Sequence, residues 1–262
     1  MIVAKRAARG ALAALALILA LILGVPARAE TEREALIETF ARIAPSVGAL
    51  YALESGGDLR FLCTATAIDR DHGRTIILTA YHCMQRGVSY LINFGDNHLR
   101  PLAVWKIPHY EVDADKHPRR FNEPKTDMAL FIMAGDDVPV VPLAQAGDKP
   151  YGAKVAMVGF PLGLSKIMYE GIVAGRFDRP GDDAAGYILL QIFGAPGSSG
   201  SAVVDVASGE IIGVLVAGTQ GFTGLPVIFA TPIGYREHLL EVLPAAEYGE
   251  DATPVPTEPA NP

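Results

Sequence analysis

From residue 46 onward the apolar residues come in short runs of strand length with turns between them, and this punctuation limits the chain to a narrow set of folds. The first series occupies residues 47–53, 61–68, 75–79, 88–94, 102–107 and 128–133. Stretches such as Ser55-Gly56-Gly57-Asp58 and Asp71-His72-Gly73 separate these runs. A connection at 136–148 leads to a second series at 154–158, 167–174, 187–193, 202–205, 211–217 and 227–231. The 27 glycines and 19 prolines supply the turns that such a pattern needs and favour β-structure over a helical bundle. Six strands at near-regular spacing suggest a closed or nearly closed antiparallel sheet, so two similar β-units are expected. A single β-sandwich fits the same periodicity, and no internal sequence repeat is visible.

The ends of the chain read differently. In residues 1–29, Lys5, Arg6 and Arg9 precede an apolar stretch at 11–25, and Ala27-Arg28-Ala29 offers small residues for cleavage. This is the pattern of a secretory signal. The stretch falls short of the roughly 20 residues that span a bilayer, and Pro26 interrupts it. Next, Ala35, Leu36, Phe40 and Ile43 share one face behind Thr31-Glu32-Arg33-Glu34, which predicts an amphipathic helix that Pro45 stops. Near the other end, Leu239, Leu240 and Leu243 mark a short closing helix at 236–243. The proline- and acid-rich residues 244–262 hold one aromatic and cannot offset their ordering entropy, which predicts a disordered tail.

Charge and cysteine content narrow the function. With 22 Lys+Arg against 29 Asp+Glu the net charge is −7; loss of residues 1–29 leaves 18 against 29, or −11. No basic run exists beyond the first residues, so nucleic acid is not an expected partner. Two cysteines allow one bridge and exclude a four-cysteine zinc site. An exported, acidic protein with no stable membrane insertion after signal cleavage is the expectation.

Three local stretches each carry one member of an acyl-transfer set. His82 ends the apolar strand Ile76-Ile77-Leu78-Thr79-Ala80, with Cys83 beside it and Cys63 opening the preceding strand. A bridge between these cysteines would pin the histidine segment to that strand. Asp127 heads the apolar strand that starts at Met128, where a buried acid could orient an imidazole. Asp113 and Asp115 compete for that role but sit in a polar stretch at 111–120 that reads as a solvated loop. Between two strongly apolar strands lies Gly194-Ala195-Pro196-Gly197-Ser198-Ser199-Gly200-Ser201-Ala202, whose glycines permit a tight turn that exposes a hydroxyl beside converging amides. His109, Asp113, Asp115 and His117 match neither a zinc helix motif nor a calcium loop, so no metal site and no cofactor is expected.

Thr79-Ala80-Tyr81-His82-Cys83, Asp127-Met128-Ala129-Leu130 and Gly197-Ser198-Ser199-Gly200-Ser201 resemble, in chain order, the three signature blocks of trypsin/chymotrypsin-like serine peptidases. The likeness extends over about residues 45–235. Val158-Gly159-Phe160-Pro161-Leu162-Gly163-Leu164 and Glu170-Gly171-Ile172-Val173 look like the bacterial Deg/HtrA-type branch. The resemblance implies an all-β fold of two packed six-stranded antiparallel barrels. The layout would be a signal peptide at 1–29, an N-terminal helix at 30–45, a first barrel at 46–140, a second barrel with its closing helix at 141–243, and the tail.

The resemblance also implies that Ser199 is the nucleophile, His82 the general base, Asp127 the orienting carboxylate, and the amides of Gly197 and Ser199 the oxyanion hole. Cys63 and Cys83 look like the family's bridge beside the histidine. The function implied is that of a secreted or periplasmic serine endopeptidase acting on proteins or peptides; a catalytically silent binding module of the same fold is the alternative. Departures are Tyr81 for the usual small residue, Ser198 for asparagine or aspartate, Ser201-Ala202 for Gly-Pro, and no length for a PDZ module. Pocket walls at 190–194, 214–218 and 228–231 would be apolar or small, which favours an apolar substrate side chain.

Overall fold

The computed structural model of the chain describes residues 30–85, 87–106, 127–145, 149–177, 186–218 and 227–233. Several expectations fall on other residues: the signal segment, the polar loop that carries His109, Asp113, Asp115 and His117, the closing helix at 236–243 and the tail at 244–262 all lie outside the described residues. Residues 30–43 are helical, and the helix gives way to a 3-10 turn at Ala44–Ser46 whose first positions include Pro45. Proline fixes its own φ and lacks the N–H that a continuing helix would need.

Twelve strands follow among the described residues. β1 (Val47–Leu53), β2 (Leu59–Asp71), β3 (Arg74–Ala80), β4 (Ser89–Asn93), β5 (Arg100–Lys106) and β6 (Met128–Ala134) close into one antiparallel barrel in the order β1-β2-β3-β6-β5-β4. β7 (Lys154–Gly159), β8 (Ile167–Phe177), β9 (Tyr187–Gln191), β10 (Ala202–Asp205), β11 (Ile211–Gly218) and β12 (Ile228–Pro232) close into a second. The sandwich alternative is thereby excluded. Closure rests on the β1–β4 and β7–β10 pairings and leaves no free sheet edge to template association.

β3 and β6 are buried along almost their whole length, which is why Ile76-Ile77-Leu78 and Leu130-Phe131-Ile132 read as continuous apolar runs rather than alternating ones. Leu50, Ile77, Leu78, Ile92, Leu130 and Phe131 are fully buried in this half. In the second barrel Val155, Met157, Val173, Ile188, Leu190, Val203, Ile212 and Leu215 form one cluster. The chain crosses between barrels at 141–144, where Val141 N donates to Ala67 O on β2 (2.9 Å) and Ala144 N to Ile211 O on β11 (2.9 Å).

Candidate active site

Antiparallel register brings the first two candidate residues together. β3 pairs with β6 so that Ala80 lies opposite Met128. A residue two beyond the end of β3 and a residue one before the start of β6 therefore emerge side by side. These are His82, in the 3-10 turn Tyr81–Cys83, and Asp127. His82 Nδ1 pairs with Asp127 Oδ2 at 2.8 Å, while the His82 backbone N donates to Asp127 Oδ1 at 2.9 Å. Asp127 O in turn accepts from Tyr81 N at 3.1 Å. These three bonds hold Asp127 at φ 41°, a left-handed conformation that aspartate tolerates better than most residues. A carboxylate only accepts hydrogen bonds, so it places the ring proton on Nδ1 and leaves the Nε2 lone pair open. The ring is 43% exposed and the carboxylate 24% exposed, so the imidazole is reachable from solvent while its partner is shielded.

Cys63 on β2 and Cys83 form a disulfide, with Cα atoms 6.0 Å apart. It ties the histidine turn to the neighbouring strand. A ring nitrogen of His82 and both sulfurs lie within 4.8 Å of one another. Both sulfurs are bonded to each other, so neither is a thiolate and the group offers a metal ion one nitrogen ligand alone.

Ser199 lies in the connection between β9 and β10. The loop is braced from within by Ser198 N donating to Ala195 O (2.9 Å) and Ser201 N to Ser198 O (3.1 Å), and from β11 by Gly200 N donating to Leu215 O (2.8 Å). Gly197 and Gly200 adopt φ 91° and 83°. Glycine is required at position 200 for a second reason: a Cβ there would fall well inside contact distance of Thr64 O and Thr79 Oγ1 and 3.1 Å from Ala80 N. The loop that carries Ser199 thus presses backbone to backbone on the strand that ends two residues before His82.

Leu162 N donates to Pro196 O at 2.6 Å. Because C=O and N–H point oppositely across a trans peptide, the Gly197 N–H faces away from Leu162. Sequence reasoning passed over Thr64 and Leu162. Thr64 follows the cysteine that pins the histidine turn; Leu162 lies in one of the stretches that carry the Deg/HtrA likeness.

A family model for the trypsin-like peptidase domain matches residues 63–214, more than half of the chain. A probable periplasmic serine endoprotease DegP-like protein of Pseudomonas fluorescens is 33% identical over 116 residues, which cover 42% of this chain and 24% of that protein. A protein of the same description from Pseudomonas putida is 30% identical over 115 residues, again 42% and 24%. The matched segment therefore spans about a quarter of the curated relatives' length. Among solved structures, the HtrA-type protease AlgW with tripeptide superposes with a TM-score of 0.58 at 22% identity, covering 76% of this chain and 60% of that one. The same protease with decapeptide gives 0.57 at 19%, covering 74% and 63%. The chain belongs to the trypsin-like peptidase domain family, and the relatives it resembles are of the DegP and HtrA type.

Proposed function

We propose that the chain is an exported serine endopeptidase. Ser199 Oγ attacks the scissile carbonyl carbon while its proton passes to His82 Nε2. The resulting oxyanion accepts hydrogen bonds from the Gly197 and Ser199 amides. Collapse breaks the C–N bond, and His82 returns the proton to the leaving amine. Water then attacks the acyl ester by the same relay, and Ser199 is released with its proton. Asp127 fixes the ring tautomer and stabilises the imidazolium formed in each half.

The observation that carries this reading is the double tie of Asp127 to one residue, through both the His82 backbone N and Nδ1. One such bond is common for a strand-end aspartate. Two, from a residue in the left-handed region, orient an imidazole and leave its Nε2 free of the carboxylate. The test is a fluorophosphonate probe: labelling mapped to Ser199 and lost in Ser199→Ala supports the reading. A wild-type chain that resists the probe and leaves casein intact is the binding module instead.

Proteins or peptides are the proposed substrates, which agrees with the peptides named in the AlgW structures. The pocket at 190–194, 214–218 and 228–231 is proposed to take a small apolar side chain. A Cβ on Gly194 would meet Ile228 Cδ1 at 2.8 Å, and one on Gly218 would meet the same atom at 2.9 Å, so this methyl sits between the two glycines. A peptide library resolves the preference: dominant cleavage after alanine or valine is expected, and cleavage after lysine or arginine contradicts it. Export to the periplasm or beyond is proposed from residues 1–29 and agrees with the relatives' description. No helix among the described residues is long and apolar enough to cross a membrane.

A further inference from the structure

We propose that Thr64 is a positioning residue that aims the oxyanion-hole amides from across the barrel interface, an inference that rests on the peptidase reading above. Thr64 lies on β2 of the first barrel and is fully buried. All of its polar groups are engaged. Its backbone N donates to Ser199 O at 3.0 Å, and its hydroxyl donates to Gly197 O at 2.9 Å. Phe160 N donates to the same hydroxyl at 3.0 Å, and Thr79 Oγ1 donates to Thr64 O at 2.7 Å. One residue therefore holds the carbonyls of both Gly197 and Ser199, the two residues whose N–H groups would receive the developing negative charge.

The direction of the hydroxyl proton is set by chemistry. A threonine hydroxyl has one proton to give. Phe160 N–H approaches one of its lone pairs, which leaves the proton for Gly197 O. The Gly197 unit is then gripped on both sides: Leu162 N holds Pro196 O ahead of it and Thr64 Oγ1 holds its own carbonyl. Glycine at φ 91° could rotate more freely than any other residue at this position, so these outside bonds decide where its N–H points. Among the described residues, Leu162 N, Thr64 N, Leu215 O and the Thr64 hydroxyl hold the peptides around Gly197 and Ser199 from outside the loop, and the hydroxyl is the one that belongs to a side chain. Its hydrogen bonds go to Gly197 O and Phe160 N, so its influence on the chemistry runs through the loop backbone.

The test uses the full chain, with hydrolysis of p-nitrophenyl acetate and fluorophosphonate labelling as the rate readouts. Thr64→Val keeps the shape and removes the hydroxyl; Thr64→Ser restores it; Thr64→Ala covers the case in which valine prevents folding. In the valine or alanine variant kcat is expected to fall about 10- to 100-fold with KM within about twofold, because preorganised oxyanion donors act on the transition state. Affinity for a peptide aldehyde, whose adduct carries the oxyanion, falls in parallel, and Thr64→Ser recovers kcat to within about threefold. A purely structural role would instead lower thermal stability with kcat of the folded protein unchanged. Folded variants with wild-type kcat, or a loss that serine fails to rescue, overturn the proposal. A wild-type chain that the probe leaves unlabelled removes the peptidase reading and the proposal with it; the wild-type control separates that failure from a failure of Thr64 alone.

Discussion

The two barrels repeat one strand order, with the sixth strand beside the third and the fourth closing on the first. Each also carries one residue of the proposed catalytic pair in the same connection, between its third and fourth strands: His82 between β3 and β4, Ser199 between β9 and β10. The two connections are held by opposite means. The first is secured from within its own barrel, by the disulfide to β2 and by the Asp127 carboxylate at the head of β6. The second is secured by backbone bonds, by glycines in left-handed conformations and by Thr64 from the other barrel. The difference fits the proposed tasks. A base needs one ring tautomer and a compensating charge, which side chains supply. An oxyanion hole needs amides at fixed angles, which only a held backbone supplies.

The largest effects should come from the proposed nucleophile and from the carboxylate that holds the proposed base. Ser199→Ala removes the bond-forming atom and is expected to lower turnover roughly a millionfold, by analogy with removal of a serine nucleophile elsewhere. Asp127→Asn can no longer dictate the tautomer and should lower kcat roughly 10⁴-fold with little change in unfolding midpoint. If Asp127→Asn left kcat intact, the first connection would not be held for catalysis at all.

Gly200→Ala probes the second connection. Its Cβ would meet the backbone of β2 and the Thr79 hydroxyl, so a loss of about 3 kcal/mol or more in urea unfolding is expected. Gly57→Ala is the matched control. Its φ of 86° is nearly the same, yet nothing lies within 4 Å of the added Cβ, so only the conformational strain of about 1 kcal/mol should appear. Equal losses at both positions would mean that backbone strain, and not the pressure between barrels, explains the glycine.

How much of this was legible beforehand depended on whether a feature is local. Strand runs were readable because β3 and β6 are buried on both faces and because turns interrupt the apolar stretches. The apolar run at 187–193 overshoots β9, which ends at Gln191; Phe193 is 55% exposed and stacks on Tyr169 (5.3 Å between centroids). Hydrophobicity cannot report where pairing stops. Asp127 could be chosen over Asp113 and Asp115 because it abuts an apolar strand, and among the described residues it is the acid bonded to His82. Neither the shared strand order nor Thr64 could be read. The first leaves no sequence repeat, and the bonds of Thr64 reach residues 133 and 96 positions away.

The disulfide is a subtler test of the first connection. Its cysteines are 20 residues apart, so the Cys63→Ser, Cys83→Ser double variant should lose about 3 kcal/mol from the greater entropy of the unfolded chain. Thermal unfolding with and without reductant measures it. Because the Asp127 bonds remain, the folded fraction of the double variant should still react with fluorophosphonate at Ser199.

The smallest expected effect concerns another link between the barrels, one that makes no bond to the serine loop. Lys166, just before β8, donates from Nζ to Ala44 O (2.6 Å) and to Phe94 O (3.0 Å) beyond β4. Burial pushes its ammonium below the usual lysine value, so the gain from two bonds is opposed by lost hydration. Lys166→Met should therefore shift stability by no more than about 1 kcal/mol near neutral pH. The sign of the pH dependence is fixed: the folded chain releases the lysine proton before the unfolded chain does, so the unfolded state binds more protons as pH climbs toward the ordinary 10.5. Over that window the wild type should gain stability relative to the methionine variant. Turnover should not change, because Lys166 bonds to Ala44 O and Phe94 O and to neither Gly197 nor Ser199. A fall in kcat for Lys166→Met like that expected for Thr64→Val would mean that any bond between the barrels tunes the loop, and that the position of Thr64 on the carbonyls of that loop carries no special weight.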